Sequence, residues 1–236
     1  MLDKLHQPLS HLNLKFDAHG NVLRHPGNTL ICHVPLFTPL SDGLVEVRDR
    51  IKAGPFADCV TMLPPESYHM TVFEGVVDQP RSREQWPIEL PLNTTLAECT
   101  RFMARRLRAF DLGGEPFFRM RIAEAAEQRG IGMVTLVPTD AEEVRKIRDL
   151  RDRLSKCLGI HSPNHDHYVF HITLSYLIKP MSLEAVKQAL DFNSTLYSEL
   201  AEHVGTITLG APEFCTFNDM HCFDNQFLLL RQEHPA

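Results

Sequence analysis

Nowhere among the 236 residues is there a run of ~20 apolar residues, so no segment reads as a membrane-spanning helix and no membrane partner is expected. Basic charge is also in short supply. The 24 Lys and Arg stand against 30 Asp and Glu, a formal net charge of −6 with a pI of about 6.1, which argues against coating long nucleic acid by neutralising its phosphates. A local phosphate site is still compatible with that balance. The opening residues Met1 to His6 lack the basic region and apolar stretch of a secretory signal, so a cytoplasmic protein is expected. Cys32, Cys59, Cys99, Cys157, Cys215 and Cys222 are scattered and contain no CxxC pair. They read as small buried thiols, not as a disulfide frame or a thiolate metal site. What is present is ordinary globular material, 43% hydrophobic and 23% charged, long enough for one large domain or two intimate lobes.

Short β-rich runs alternate with capped amphipathic helices along the chain, which gives a mixed α+β class. Residues 1–28 read as a polar, turn-rich extension, with a tight loop at Ala18-His19-Gly20-Asn21. Strands are expected at 29–34, 58–62, 68–77, 117–124, 132–137, 168–177, 206–216 and 222–230. Helices are expected from Ser41 to Ala53, from the capping box Thr95-Leu96-Ala97-Glu98 to Phe110, from a second box Thr139-Asp140-Ala141-Glu142 to Gly159, and from Ser182 to Ala201. Pro80, Pro87 and Pro91 make 78–93 a long loop.

The order strand, helix, His-bearing strand, helix occurs twice. Cys32 to His69 and Val134 to His171 both span 37 residues, and Arg48-Asp49-Arg50 recurs as Arg151-Asp152-Arg153. These offsets suggest an internal duplication in one domain over 29–230, with repeats at 29–126 and 131–230.

The most informative pair is His69-Met70-Thr71-Val72 and His171-Ile172-Thr173-Leu174. On a strand, alternate residues share a face, so each motif presents one imidazole and one hydroxyl on the same side. If the lobes meet about a two-fold axis, His69, Thr71, His171 and Thr173 line one cleft. Such a set suits a phosphate: a neutral imidazole accepts a proton from water, a protonated one gives a proton to a leaving oxygen, and the hydroxyls hold the phosphoryl oxygens.

The two motifs resemble those of the 2H phosphoesterase superfamily, the LigT-like and cyclic-nucleotide phosphodiesterase group marked by paired His-x-[Thr/Ser]-x motifs. The resemblance implies a bilobal fold of two antiparallel sheets forming a central cleft with helices outside. It further implies metal-independent hydrolysis of a 2′,3′-cyclic phosphate or related phosphodiester of a nucleotide or RNA end, with no metal, cofactor or obligate protein partner. Tyr176 stands five residues after His171, where some members carry a substrate-contacting tyrosine. Simple alternation puts it on the face opposite His171, so that role needs a bulge or an earlier strand end. Residues 1–27 and 78–93 fall outside the resemblance and are read as marks of a bacterial subfamily with its own substrate.

Arg119 and Arg121 share one face of a strand, as a grip on phosphate or as a solvated face. Tyr68 and Phe73 flank the first motif, as base-stacking platforms or as core packing. Two readings compete with catalysis by paired histidines. One is a metal site built from His161, His165, His167 and His171, with His165-Asp166-His167 as paired ligands. At roughly 3.3 Å per residue, His167 and His171 would stand ~13 Å apart on a strand, too far to share an ion without a turn. The other is a nucleotide-binding module that keeps the fold without turnover.

Overall fold

The computed structural model describes residues 12–232; the expectation drawn from Met1 to His6 lies outside the described residues. In chain order the elements are β1 (Gly27–His33), α1 (Pro39–Ala53), β2 (Val60–Met62), β3 (His69–Phe73), α2 (Leu96–Arg108), β4 (Phe118–Ile122), β5 (Met133–Pro138), α3 (Ala141–Leu158), β6 (His171–Thr173), β7 (Ser175–Leu177), α4 (Leu183–Val204), β8 (Ile207–Leu209), β9 (Glu213–Phe217) and β10 (Asp224–Leu228). The fold is α+β. Two antiparallel halves, β10-β9-β1-β3 and β6-β5-β4-β8, join edge to edge through β3 and β6 into one eight-stranded sheet. A separate two-stranded ladder pairs β2 with β7. α1 packs on α4 and α2 on α3, while α3 also lies against β3, β4 and β5.

The register relates the two halves. Cys32 pairs with Met70, Met70 with Ile172, and Ile172 with Val134, so four equivalent positions form a row across four strands. One step along, His33 is opposite His69 and Thr135 is opposite His171. All four residues of the row are apolar and at most 1% exposed, so they hold the junction between the halves.

Local chemistry explains most of the elements. At α2, Thr95 and Glu98 cap each other as expected. At α1, Thr38 is the N-cap and Ser41 sits three residues in, returning a bond to the Thr38 backbone, which moves the start from the expected Ser41 to Pro39. At α3, Asp140 rather than Thr139 caps Glu142 and Glu143, and Gly159 ends the helix in the left-handed region at φ 66°. The strands expected over 68–77 and 168–177 are shorter. Between β1 and β3 the register shifts at Leu30/Ile31, leaving Val72 extra on β3, and the buried Arg151 of α3 donates to its carbonyl at 2.7 Å. The second strand stops at Thr173 because the Gly132 carbonyl accepts from the amides of both Leu174 and Ser175, diverting the chain into β7. Gly132 has φ 79°, and a Cβ there would lie 2.8 Å from the Ser175 carbonyl oxygen, so the diversion needs glycine.

Residues 12–25 are tied into the main core: Phe16 is fully buried and bridges to Val22 around the predicted tight loop. The six cysteines are all free: Cys32, Cys99 and Cys215 are buried as expected, whereas Cys59 and Cys157 are half-buried and Cys222 is exposed in the turn before the outermost strand β10. No helix among the described residues is long and apolar enough to cross a membrane.

Candidate active site

The alternation in β3 and β6 sorts the two motifs. Met70, Val72, Ile172 and Leu174 are fully buried, whereas His69, Thr71, His171 and Thr173 all line one cavity of about 560 Å³. Each imidazole is held in the same way, two residues back along its own chain. Nδ1 of His69 meets the Ser67 carbonyl at 2.6 Å and Nδ1 of His171 meets the Val169 carbonyl at 2.8 Å. A carbonyl only accepts, so both Nδ1 atoms carry the proton and donate it. Both Nε2 atoms are thereby left as the nitrogens available to a ligand.

Around this matched frame the surroundings differ. His69 has Phe223 packed edge-on against it at 4.3 Å and the His33 ring at 6.3 Å. His33 is itself bound to Glu213 at 2.9 Å. Burial pushes the His69 pKa down to about 4, with the positive charges of His33, His171 and Lys15 acting in the same direction. Burial also lowers the pKa of His171, but there the Glu74 carboxylate acts the other way. Glu74 lines the cavity and is oriented by Ser162 Oγ at 3.1 Å.

The family model described as 2H-phosphodiest, a domain of unknown function (DUF1868), matches residues 15–131. The chain is also similar over nearly its whole length to the crystal structure of a conserved protein of unknown function, ATU0111, from Agrobacterium tumefaciens str. C58. The two are 31% identical with a TM-score of 0.88, covering 97% of this chain and 98% of that one. This chain belongs to the 2H phosphoesterase superfamily. Looser likenesses are to E. coli LigT complexed with phosphate, at 11% identity and TM-score 0.48 over 89% of this chain and all of that one, and to TT0787 of Thermus thermophilus, at 16% and 0.44 over 90% of this chain and all of that one. No curated protein matches it.

The other residues singled out in the sequence separate clearly. Tyr176 lines the cavity, because the strand ends at Thr173 and β7 runs in the other ladder. Tyr68 does not: it is 2% exposed, with its hydroxyl turned to the Leu63 carbonyl, and is a core residue. Phe73 is likewise buried, with the His165 ring edge-on at 6.1 Å and the Arg151 guanidinium 5.8 Å from its centre. Arg119 and Arg121 lie on β4, away from the cavity, where Arg119 pairs with Glu143 and Glu115 and Arg121 is exposed, so neither grips a phosphate there.

The histidine-rich loop does not assemble a metal centre. His165 is buried with Nε2 held by Asp152, His161 stacks on it at 4.5 Å, and His167 and His171 face the cavity instead. Among the described residues, the set of three donors that does converge, to within 4.8 Å of one another, is His33, Glu213 and Cys215. The Cys215 thiol is fully buried and pushed up to about 12 by burial, which opposes the deprotonation a metal would require. Lys15, Asn28, Gln85, Asn164 and Phe223 line the cavity without having been flagged as site residues. They come from segments distant in sequence and carry no motif. Only the sheet closure gathers them.

Proposed function

We propose that this protein hydrolyses a 2′,3′-cyclic phosphate, or a related phosphodiester, of a nucleotide or RNA end, without a metal, using His69 and His171 as a general acid and base pair. The observation that carries this reading is the matched tethering of the two rings, Nδ1 to a backbone carbonyl and Nε2 to a shared cavity. That cavity, at about 560 Å³, is within the range of small-molecule sites, roughly 300–1,000 Å³.

The unequal surroundings divide the roles. His69, held near 4 by burial, is neutral at pH 7 and is the base: its Nε2 takes a proton from water as the water oxygen bonds to phosphorus. His171, which Glu74 helps to protonate, is the acid: its Nε2 gives a proton to the ribose oxygen as the bond from that oxygen to phosphorus breaks. An anionic phosphate entering the cavity further favours the protonated form of His171. The hydroxyls of Thr71 and Thr173 hold non-bridging oxygens as charge builds on them. One monoester forms per water consumed, and the two imidazoles return to their starting states by proton exchange with solvent.

The test is ³¹P NMR of 2′,3′-cyclic mononucleotides incubated with the full chain in excess chelator. Ring opening to a monophosphate is expected, and its loss in His69→Ala and in His171→Ala. Binding without ring opening by the wild type would make the protein a nucleotide-binding module instead.

A further inference from the structure

The two histidines and two threonines supply proton transfer and neutral hydrogen bonds but no fixed positive charge. A phosphodiester arrives as an anion, and ring opening concentrates further negative charge on the phosphoryl oxygens, so a preorganised cation in such a site stabilises the transition state beyond what hydroxyls provide. Of the described residues lining the cavity, Lys15 is the one lysine or arginine and Glu74 the one acid. Glu74 is engaged by Ser162 and Asn164. Lys15 has no carboxylate partner among the described residues. Its Nζ donates to the Tyr176 hydroxyl at 3.3 Å and lies 5.1 Å from the centre of that ring.

We propose that Lys15, delivered by the loop ahead of β1 and outside both His-x-Thr-x strands, is the cation that binds the substrate's phosphate in this cavity. An ammonium has three donors, and the bond to Tyr176 uses one. Lys15 lines the same cavity as both histidines, and its charge lowers the pKa of His69 and of His171. The loop holds it there. The next residue, Phe16, is fully buried and packs against Tyr176 at 5.0 Å and His221 at 5.9 Å, while the Lys15 carbonyl accepts from the Leu23 amide at 2.8 Å. A lysine on a surface loop would be free to swing. Here the backbone is fixed by the burial of Phe16 and the side chain is directed by its bond to Tyr176, which limits the entropy lost when a ligand binds.

The inference rests on the phosphoesterase reading for its substrate, and the two can fail separately. The probe is inorganic phosphate, titrated into the full chain and followed by ¹⁵N–¹H NMR, beside turnover of a 2′,3′-cyclic mononucleotide. Lys15→Met should weaken phosphate binding by about tenfold or more and lower kcat/KM by ~10²-fold, the scale of a lost charged hydrogen bond and of a lost oxyanion donor. Lys15→Arg should restore most of both. In the ligand-free protein, Lys15→Met should also raise the His69 and His171 pKa values, because a cation in their cavity is gone, while the titratable neighbours His33 and Glu74 stay in place. Should Lys15→Met not fold, Lys15→Gln reads the same quantities. Phosphate binding and turnover within twofold of wild type in the folded variant would overturn the role of Lys15, even with both histidine variants inactive. Phosphate binding that depends on Lys15 in a protein with no turnover would keep this site and overturn the hydrolase reading.

Discussion

The strand pairs β1–β3 and β5–β6 place His69 and His171 at equivalent points of one sheet and tether each ring by the same bond two residues back. Their settings are nevertheless unlike. Opposite His69 in the register stands another histidine, His33, bound to Glu213; opposite His171 stands Thr135. His69 is covered by Phe223, whereas His171 lies near the Tyr168 ring at 6.2 Å and within the influence of Glu74. The two halves aim two identical groups at one space, and under the proposed mechanism the difference in their surroundings makes His69 the base and His171 the acid. The repeated Arg-Asp-Arg follows the same pattern. Arg151 is 1% exposed and bonds the Val72 and His165 carbonyls, while Arg48 has a side chain 23% exposed and is paired with Asp49.

The strongest way to break this comparison is to remove each ring. His69→Ala and His171→Ala should each lower kcat by ~10²-fold or more, and the double variant should be little worse than the worse single, because the two act in one transfer. Additive losses in steady-state kinetics would mean that the rings work independently. The valines Thr71→Val and Thr173→Val should cost less, about tenfold each, since one neutral donor is lost while proton transfer continues.

The pH profile sharpens the assignment of roles. Under the proposed mechanism His69 must be deprotonated, so kcat/KM rises as pH passes about 4; His171 must be protonated, so it falls again as pH passes a value below the ordinary 6.5. The maximum therefore lies between these limits. Glu74→Gln should move the alkaline limb to lower pH and leave the acidic limb in place. A shift of the acidic limb instead would reverse the two roles.

The smallest expected effect concerns stability. Arg151→Met should cost about 1–3 kcal/mol in urea unfolding, because two buried carbonyls lose their donor, and Arg48→Met clearly less. Equal losses would mean that the two helices are anchored alike.

The sequence made the caps and the catalytic alternation legible because both depend on neighbours within a few residues: Thr95 with Glu98, His69 with Thr71. Much of the cavity wall was not legible. Lys15, Asn28 and Phe223 are separated from the motifs by long stretches of chain and converge only when β9, β1, β3 and β6 lie side by side. The same distance hid the diversion at Gly132 that turns Tyr176 inward. Conversely, Tyr68 and Phe73 looked available beside the first motif, yet the burial that depresses the pKa of His69 also seals these two rings into the core.

The most direct measurement is ¹⁵N NMR of the imidazole nitrogens of His69 and His171 in the ligand-free full chain, followed across pH. At pH 7 both rings should be neutral with the proton on Nδ1 and Nε2 bare, and both should titrate below 6.5, His69 at about 4. A proton resident on Nε2 of either neutral ring, or His69 still charged at pH 7, would contradict the pairing of two carbonyl-tethered histidines with His69 as the base.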